Sequence, residues 1–209
     1  RPVLRARPSL LLMLLLALGC ASASPSSLGG SASPASASED VSFVAVVRLP
    51  APDTQKGKIF RGVLLEAGGT TWVASYERDG LWEAFEGRRV EVTGERYQPE
   101  NQALIAPHIR VKTLTLEHSD TTAQITRFQA EVTLEGQFVE FVWPADSKLA
   151  GEKTVRFATT EGREFFLGTK RPDAPLGRPV SVRGRVFEPS PYAARPYGEY
   201  LWVYDVSPR

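Results

Sequence analysis

The chain contains two versions of one segment, GRRVEVTGERYQP at residues 87–99 and GRPVSVRGRVFEP at residues 177–189. The two versions are 90 residues apart and share Gly, Arg, Val, Val, Gly and Pro, while Tyr97 is replaced by Phe187. Valines that alternate with other residues are typical of a half-buried strand. The glycines allow the sharp coiling that a small closed barrel needs. The repeat therefore predicts two similar β units in succession.

Strand-like patterns continue through residues 41–209, and helical periodicity is almost absent. The exception is residues 79–85, where Asp79 is well placed to cap a short helix. At the corresponding place in the second unit, Pro172 and Pro175 argue against a full helix. We therefore expect an all-β protein in which a short helix interrupts the first unit.

Upstream of the repeat, Phe43-Val44 matches Phe138-Val139 at a slightly different offset. Residues 124–134 have no clear partner in the first unit, so we expect them to begin a long strand that is kinked at Gly136. The boundary between the two units is predicted near residues 118–122.

Each unit reads as three strands, a short helix or turn, and two strands. The Gly-Val-x-Val-x-Gly strand after the helical turn resembles the fourth strand of an OB-fold barrel. This resemblance implies two tandem small OB-like β-barrels, at residues 41–118 and 123–209. One larger β-sandwich of about 170 residues is the alternative.

The first forty residues have the plan of a secretory signal. A basic start precedes an apolar run at residues 10–18, which is too short to span a bilayer. Residues 16–20, Leu-Ala-Leu-Gly-Cys, resemble a bacterial lipobox, although Ala17 stands where Leu is usual. The resemblance implies a signal peptide at residues 1–19 and a lipid on Cys20. A signal peptide without lipid, followed by an incidental cysteine, is the alternative.

Residues 20–40 are predicted to be a flexible linker, because Ser, Ala, Pro and Gly dominate them and cannot build a core. In enteric lipoproteins, a residue other than Asp after the lipidated cysteine favours the outer membrane. Ala21 therefore implies a protein anchored there and facing the periplasm. Since the chain begins with Arg1, we also expect that its true start is missing.

Composition excludes several classes of function. The chain has 209 residues, 42% hydrophobic and 23% charged, which fits a folded protein rather than a disordered one. A net charge of +1 argues against nucleic-acid binding, and residues 41–118 and 119–209 each have equal numbers of basic and acidic residues. One cysteine and two histidines leave no disulfide framework or multi-cysteine zinc site, so we expect no metal and no cofactor.

No catalytic motif is recognisable, and we expect no enzymatic activity. His118, Ser119 and Asp120 are adjacent, so they cannot form a hydrolase triad and are predicted to be linker. His108 lies just before a strand, where an exposed or capping role is expected. The four tryptophans are expected in the core.

The most suggestive stretch is the loop at residues 190–200, which joins the last two strands of the second unit. In OB-folds this loop and the one after the first strand commonly contact ligands. Tyr192, Arg195, Tyr197 and Tyr200 are the candidate contact residues, because Tyr and Arg are frequent in binding surfaces. Alternatively, the loop only closes the end of the barrel.

The sequence thus predicts an exported, lipid-anchored protein that binds a partner protein or another envelope component. Binding of a glycan or small ligand by the second unit is one alternative. Binding of single-stranded nucleic acid is another, if the protein is not exported.

Overall fold

In a computed structural model, the chain is described at residues 39–51, 60–99, 106–169, 172–193 and 198–209. The predicted signal peptide, Cys20 and most of the linker lie outside these residues. All described residues belong to one compact unit of the chain. Within them, no helix is long and apolar enough to cross a membrane.

The first five strands form a closed mixed barrel. They are β1 (Glu39–Arg48), β2 (Val63–Ala67), β3 (Thr70–Ser75), β4 (Arg89–Tyr97) and β5 (His108–Leu116), with helix α1 (Gly80–Glu83) between β3 and β4. Strand β1 pairs with β2 and β4, β3 with β2, and β5 with β4, all antiparallel. A parallel contact between β3 and β5 at Val73 and His108 closes the ring. The β-sandwich alternative is therefore wrong for this part of the chain.

Five more strands lie outside this barrel and continue its sheet. They are β6 (Ile125–Val142), β7 (Lys153–Thr159), β8 (Glu164–Leu167), β9 (Pro179–Pro189) and β10 (Tyr200–Pro208). Strand β6 pairs with β7 and β9, β8 with β7 and in parallel with β10, and β10 with β9. The order of these pairings is the same as that among β1–β5. We call residues 39–116 the first half and residues 125–209 the second half.

The repeat holds the same place in both halves. Gly87 and Gly177 both have φ of 70°, a backbone conformation that suits glycine, and each precedes its repeat strand. Gly94 in β4 and Gly184 in β9 are buried, and a Cβ there would overlap the backbone oxygens of Arg110 and Trp202, respectively. The glycines are therefore needed where neighbouring backbones approach closely.

The structure corrects the expected match upstream of the repeat. The N–H of Gly87 donates to the carbonyl of Val47 (3.0 Å), and the N–H of Gly177 donates to the carbonyl of Phe138 (2.8 Å). Phe138 therefore corresponds to Val47 and not to Phe43. The similarity of Phe43 and Phe138 was misleading, because the strand register depends on backbone pairing and not on residue type.

The long strand predicted before Gly136 is confirmed. Strand β6 continues through this residue, pairing with β9 over Ile125–Gln137 and with β7 over Gly136–Val142. A Cβ on Gly136 would overlap the backbone oxygen of Ala158. Glycine is thus required where β6 changes from one partner to the other.

Helix α1 forms where the sequence predicts it. The Asp79 carboxylate accepts hydrogen bonds from the N–H groups of Leu81 (2.8 Å) and Trp82 (3.1 Å). These are donors that a helix start leaves without partners. Leu81, Trp82 and Phe85 are buried, so the cap directs an apolar side of the helix into the core.

Two apolar clusters fill the fold. The first core lies inside β1–β5 under α1, but it also includes Ile125, Phe128, Phe187 and Tyr200 of the second half. The second core is built around Phe138, Phe157, Phe165, Val182 and Leu201. Because the first core crosses the predicted boundary, the two halves share buried surface. Independent folding at residues 41–118 and 123–209 stays a prediction.

Candidate functional site

The structure describes two of the five residues that the sequence selects. Cys20, Arg195 and Tyr197 lie outside the described residues. Tyr192 has 58% of its surface exposed, which suits a contact residue. Tyr200 is only 4% exposed and begins β10, so it supports the surrounding structure from below the surface.

A buried serine holds the loop before Tyr192. Ser190 is 3% exposed, and its N–H donates to the carbonyl of Gln124 at 2.9 Å. Its hydroxyl accepts from the N–H of Tyr192 at 3.3 Å, which forms a local turn. The start of the loop is therefore fixed, and it presents Tyr192 to solvent.

Tyr200 belongs to a row of stacked rings that reaches the surface. We call Trp143, Phe166 and Tyr200 the aromatic row. The rings of Trp143 and Phe166 are 5.7 Å apart and 13° from parallel, and those of Phe166 and Tyr200 are 5.1 Å apart at 25°. The Tyr200 ring then packs on Phe187 of the first core at 5.3 Å. The row thus extends from the interior to Trp143, just beyond the end of β6.

A guanidinium group holds the middle of the row in place. The Cζ atom of Arg156 lies 3.3 Å from the ring centre of Phe141 and 4.2 Å from that of Phe166. Its Nη1 donates to Glu164 at 3.0 Å. The guanidinium thus makes cation–π contacts with both Phe141 and Phe166. Because Arg156 is only 15% exposed, it is held in place and fixes the orientation of the Phe166 ring.

The aromatic row lines a concavity of about 630 Å³ at one end of the second half. Trp143, Phe166 and Tyr200 contribute to its wall, together with Glu140, Lys153 and Thr169. This volume is within the range of small-molecule sites. The Lys153 ammonium and the Glu140 carboxylate form an ion pair at 2.9 Å. The two charges balance each other, and both groups can still form further hydrogen bonds.

Thr169 adds an unusual polar atom to this wall. Its hydroxyl oxygen is buried and has no hydrogen-bond partner among the described residues. Leaving a buried hydroxyl without a partner costs about 1–3 kcal/mol. The concavity therefore combines stacked rings with the polar residues Glu140, Lys153 and Thr169.

Trp143 is the main residue that sequence reasoning missed. It was expected in the core, but it is partly exposed and lies outside both apolar clusters. A signal was present, because Trp143 starts the loop that follows the first strand of the second unit. In the OB resemblance, that is one of the two loops that contact ligands.

The corresponding place in the first half is polar. His108 begins β5 as Tyr200 begins β10, and it is fully buried, so the expectation of an exposed histidine is wrong. Its Nδ1 donates to the carbonyl of Ala106 (2.8 Å), which leaves Nε2 to accept from the hydroxyl of Tyr76 (2.7 Å). Both ring nitrogens are thus satisfied, which accounts for the burial.

Other candidate chemistry is not supported by the described residues. They contain no group of three or more His, Cys, Asp or Glu side chains placed to hold a metal ion. His118 lies on the coil after β5, with its side chain 81% exposed. Asp120 is instead paired with Arg88, and His118, Ser119 and Asp120 all lie on the segment between β5 and β6.

Two half-buried tyrosines have a raised pKa. Burial raises the pKa of Tyr97 in β4, with the nearby Tyr76 adding to this effect. Burial also raises the pKa of Tyr204 in β10, with further contributions from Asp79, whose carboxylate accepts a hydrogen bond from the phenol. Both side chains therefore remain neutral at physiological pH and act as hydrogen-bonding or packing groups.

The concavity beside Trp143 is therefore the candidate site. Comparison of the chain with models of protein families, with curated proteins and with solved structures found no match.

Proposed function

We propose that this protein is a non-enzymatic binding protein of the bacterial cell envelope, and that its second half binds an envelope glycan. The observation that carries the proposal is the concavity, in which the stacked Trp143 and Phe166 rings line the same wall as Glu140, Lys153 and Thr169. No cofactor or metal is part of the proposal.

A sugar ring fits this combination of groups. Its C–H faces pack against an aromatic ring, while its hydroxyls need donors and acceptors at the edge. Trp143 supplies the ring, and Thr169, Glu140 and Lys153 supply hydrogen-bonding groups on the same wall. Arg156 keeps the aromatic row in a fixed position, which lowers the cost of ordering the site on binding.

The proposal includes an architecture of two tandem OB-like barrels. Its support is the repeated order of strand pairing, in which β8 and β10 meet in parallel as β3 and β5 do. The concavity then lies between the loop after the first strand of the second barrel and the start of its last strand. In OB-folds, ligands commonly bind in this region.

Binding of envelope oligosaccharides to the full chain tests the proposal, with isothermal calorimetry as the measurement. We expect Trp143→Ala to weaken binding at least about tenfold and Trp143→Phe to retain most of it, because the second change keeps a stacked ring. Trp72→Ala in the first half is the matched control and is expected to bind normally. If no oligosaccharide binds, or if all three variants bind equally, the site is wrongly assigned.

The location of the protein is a separate part of the proposal. A lipid on Cys20 would tether the folded part by residues 21–38 to a membrane, in our proposal the outer membrane on its periplasmic side. Labelled fatty acid and membrane fractionation test this for the wild type beside Cys20→Ser. We expect label and membrane association only in the wild type. An unlabelled cytoplasmic protein would contradict export and make single-stranded nucleic acid the next ligand to test.

Protein binding through the loop at residues 190–200 is the second candidate, and the 58% exposure of Tyr192 favours it. Replacing Tyr192, Arg195 and Tyr197 together by Ala distinguishes it from glycan binding at the concavity. Loss of partner capture with unchanged glycan binding supports the loop. If the triple variant still captures the partner protein and still binds the glycan, binding through the loop is rejected.

A further inference from the structure

The two halves are joined by a pairing of strand edges. Strands β5 and β6 run antiparallel, with Thr113, Leu114 and Thr115 opposite Gln129, Phe128 and Arg127, respectively. Phe128 is buried there, and its ring lies 4.8 Å from Trp82 and 5.6 Å from Phe85. The edge of the last strand in the first half is thus covered by an extended segment that carries an aromatic residue.

Strand β10 is the counterpart of β5. Val111 lies opposite Gly94, and Val203 lies opposite Gly184. Both strands have a register shift directly after this position, so Thr113–Thr115 correspond to residues 205–207. Strand β10 therefore presents the same kind of edge at Asp205, Val206 and Ser207.

This edge of β10 lacks a partner strand among the described residues. One side of β10 pairs with β9 along its length, whereas β8 reaches the other side only at Tyr200 and Leu201. An unpaired strand edge is a template for β-strand addition by another chain.

A groove lies along the same edge. It has a volume of about 420 Å³, and we call it the β10 groove; it is lined by Thr169, Pro172, Asp173, Val203, Tyr204, Asp205 and Val206. Val206, which corresponds to Leu114, is half-buried and gives an incoming side chain an apolar contact. Among the described residues of this lining, the charged side chains are Asp173 and Asp205, both exposed, which favours a basic segment.

We infer that β10 binds an extended segment of a partner protein by antiparallel strand addition, with a large apolar residue opposite Val206 and a Lys or Arg opposite Asp205. The pairing of β5 with β6 shows the geometry, because Phe128 occupies the equivalent position opposite Leu114. This goes beyond the proposed glycan site, which depends on Trp143 and not on the edge of β10.

A synthetic peptide with the sequence of residues 124–131 and the change Gln129→Lys tests the inference on the full chain. We expect it to bind with a micromolar dissociation constant and to slow amide exchange within residues 205–207. Changing Phe128 to Ala in the peptide should weaken binding at least about tenfold, since the apolar contact is lost. No binding at about 1 mM, or no slowing at residues 205–207, overturns the inference.

A charge exchange provides the matched variant. Asp205 lies on the surface. The variant Asp205→Lys should weaken binding of the Gln129→Lys peptide but strengthen binding of a Gln129→Glu peptide. Glu91→Lys, at an exposed position on β4, should leave both affinities unchanged. Equal effects of the two protein variants overturn the inference. A full chain that dimerises with slowed exchange at residues 205–207 also overturns it, in favour of a second copy on this edge.

Discussion

In the first half the last strand begins with His108, and in the second half it begins with Tyr200. His108 forms hydrogen bonds with Ala106 and Tyr76 and also stacks on the Tyr76 ring at 5.6 Å, whereas Tyr200 stacks between Phe166 and Phe187. The backbone arrangement is the same at the two positions, but the side-chain contacts that hold the two residues differ. Both stacks reach the surface, through Tyr76, which is 41% exposed, in the first half and through Trp143, which lines the concavity, in the second half.

This difference shows how a repeated backbone frame can hold different side chains. The repeat glycines determine how the backbones approach, and they do so equally in both halves. The side chains at the barrel surface are free of that constraint, so they can differ. Substitutions of the repeat glycines should therefore change stability equally in the two halves. Substitutions of the side chains around them should have unequal effects.

The largest expected effect concerns the two equivalent core positions. Phe138→Ala should lower the free energy of unfolding by about 4 kcal/mol and Val47→Ala by about 2 kcal/mol, because the larger side chain leaves the larger cavity. Urea unfolding followed by fluorescence and circular dichroism measures both. We expect one transition, because Phe128, Phe187 and Tyr200 join the first core to the second half. Two separate transitions would show that the halves unfold independently.

The frame glycines should behave alike. Gly94→Ala and Gly184→Ala should each cost about 2 kcal/mol, because a Cβ has no room beside the neighbouring backbone oxygen. The same urea measurement applies, with Ser42→Ala, exposed on β1, as the control. A cost in one half only would mean that the close approach at these glycines is not shared.

The smallest expected effect is a pH dependence of stability, to which one half-buried tyrosine in each half contributes. Burial raises the pKa of Tyr97 and of Tyr204 in the folded protein, so the folded state favours the neutral phenol. This contribution to stability is complete below the unfolded tyrosine pKa, about 10, and is lost as pH rises through the raised folded value. Unfolding free energies measured between about pH 8 and 11 should fall less steeply for Tyr204→Phe than for the wild type.

The same tyrosine variant has a second consequence. Tyr204→Phe removes the hydrogen bond to Asp79 and should cost about 1 kcal/mol at neutral pH. Tyr97→Phe tests the first half, and Tyr192→Phe, at an exposed position, is the control. If Tyr204→Phe keeps the wild-type pH dependence, burial of this phenol does not contribute to it.

Much of the fold could be predicted from local patterns. The alternating valines and paired glycines of residues 87–99 and 177–189 indicate strands of a small barrel. Asp79, followed by several apolar residues, indicates a short helix. These features depend only on residues that are close together in sequence, so a local pattern is enough to predict them. The match of Phe43 with Phe138 failed because register depends on hydrogen bonds between distant strands.

The candidate site was predicted only in part. The loop at residues 190–200 could be selected because Tyr and Arg are concentrated there, and Tyr192 is indeed exposed. The stacking of Trp143 on Phe166 could not be found in this way, because Phe166 is distant in sequence and separated from Trp143 by β7. The burial of His108 was missed for the same reason, since Tyr76 supplies the hydrogen bond that permits it.

By itself, the sequence determined the all-β character, the repeat frame and the capped helix, because strand alternation, glycine spacing and helix capping are short-range properties of the chain. The tertiary structure alone decided which half stacks rings toward a concavity, which buries a histidine, and which strand edge lacks a partner among the described residues. Those outcomes depend on the register of strands and on contacts between residues far apart in the chain, and such contacts arise only when the barrel closes.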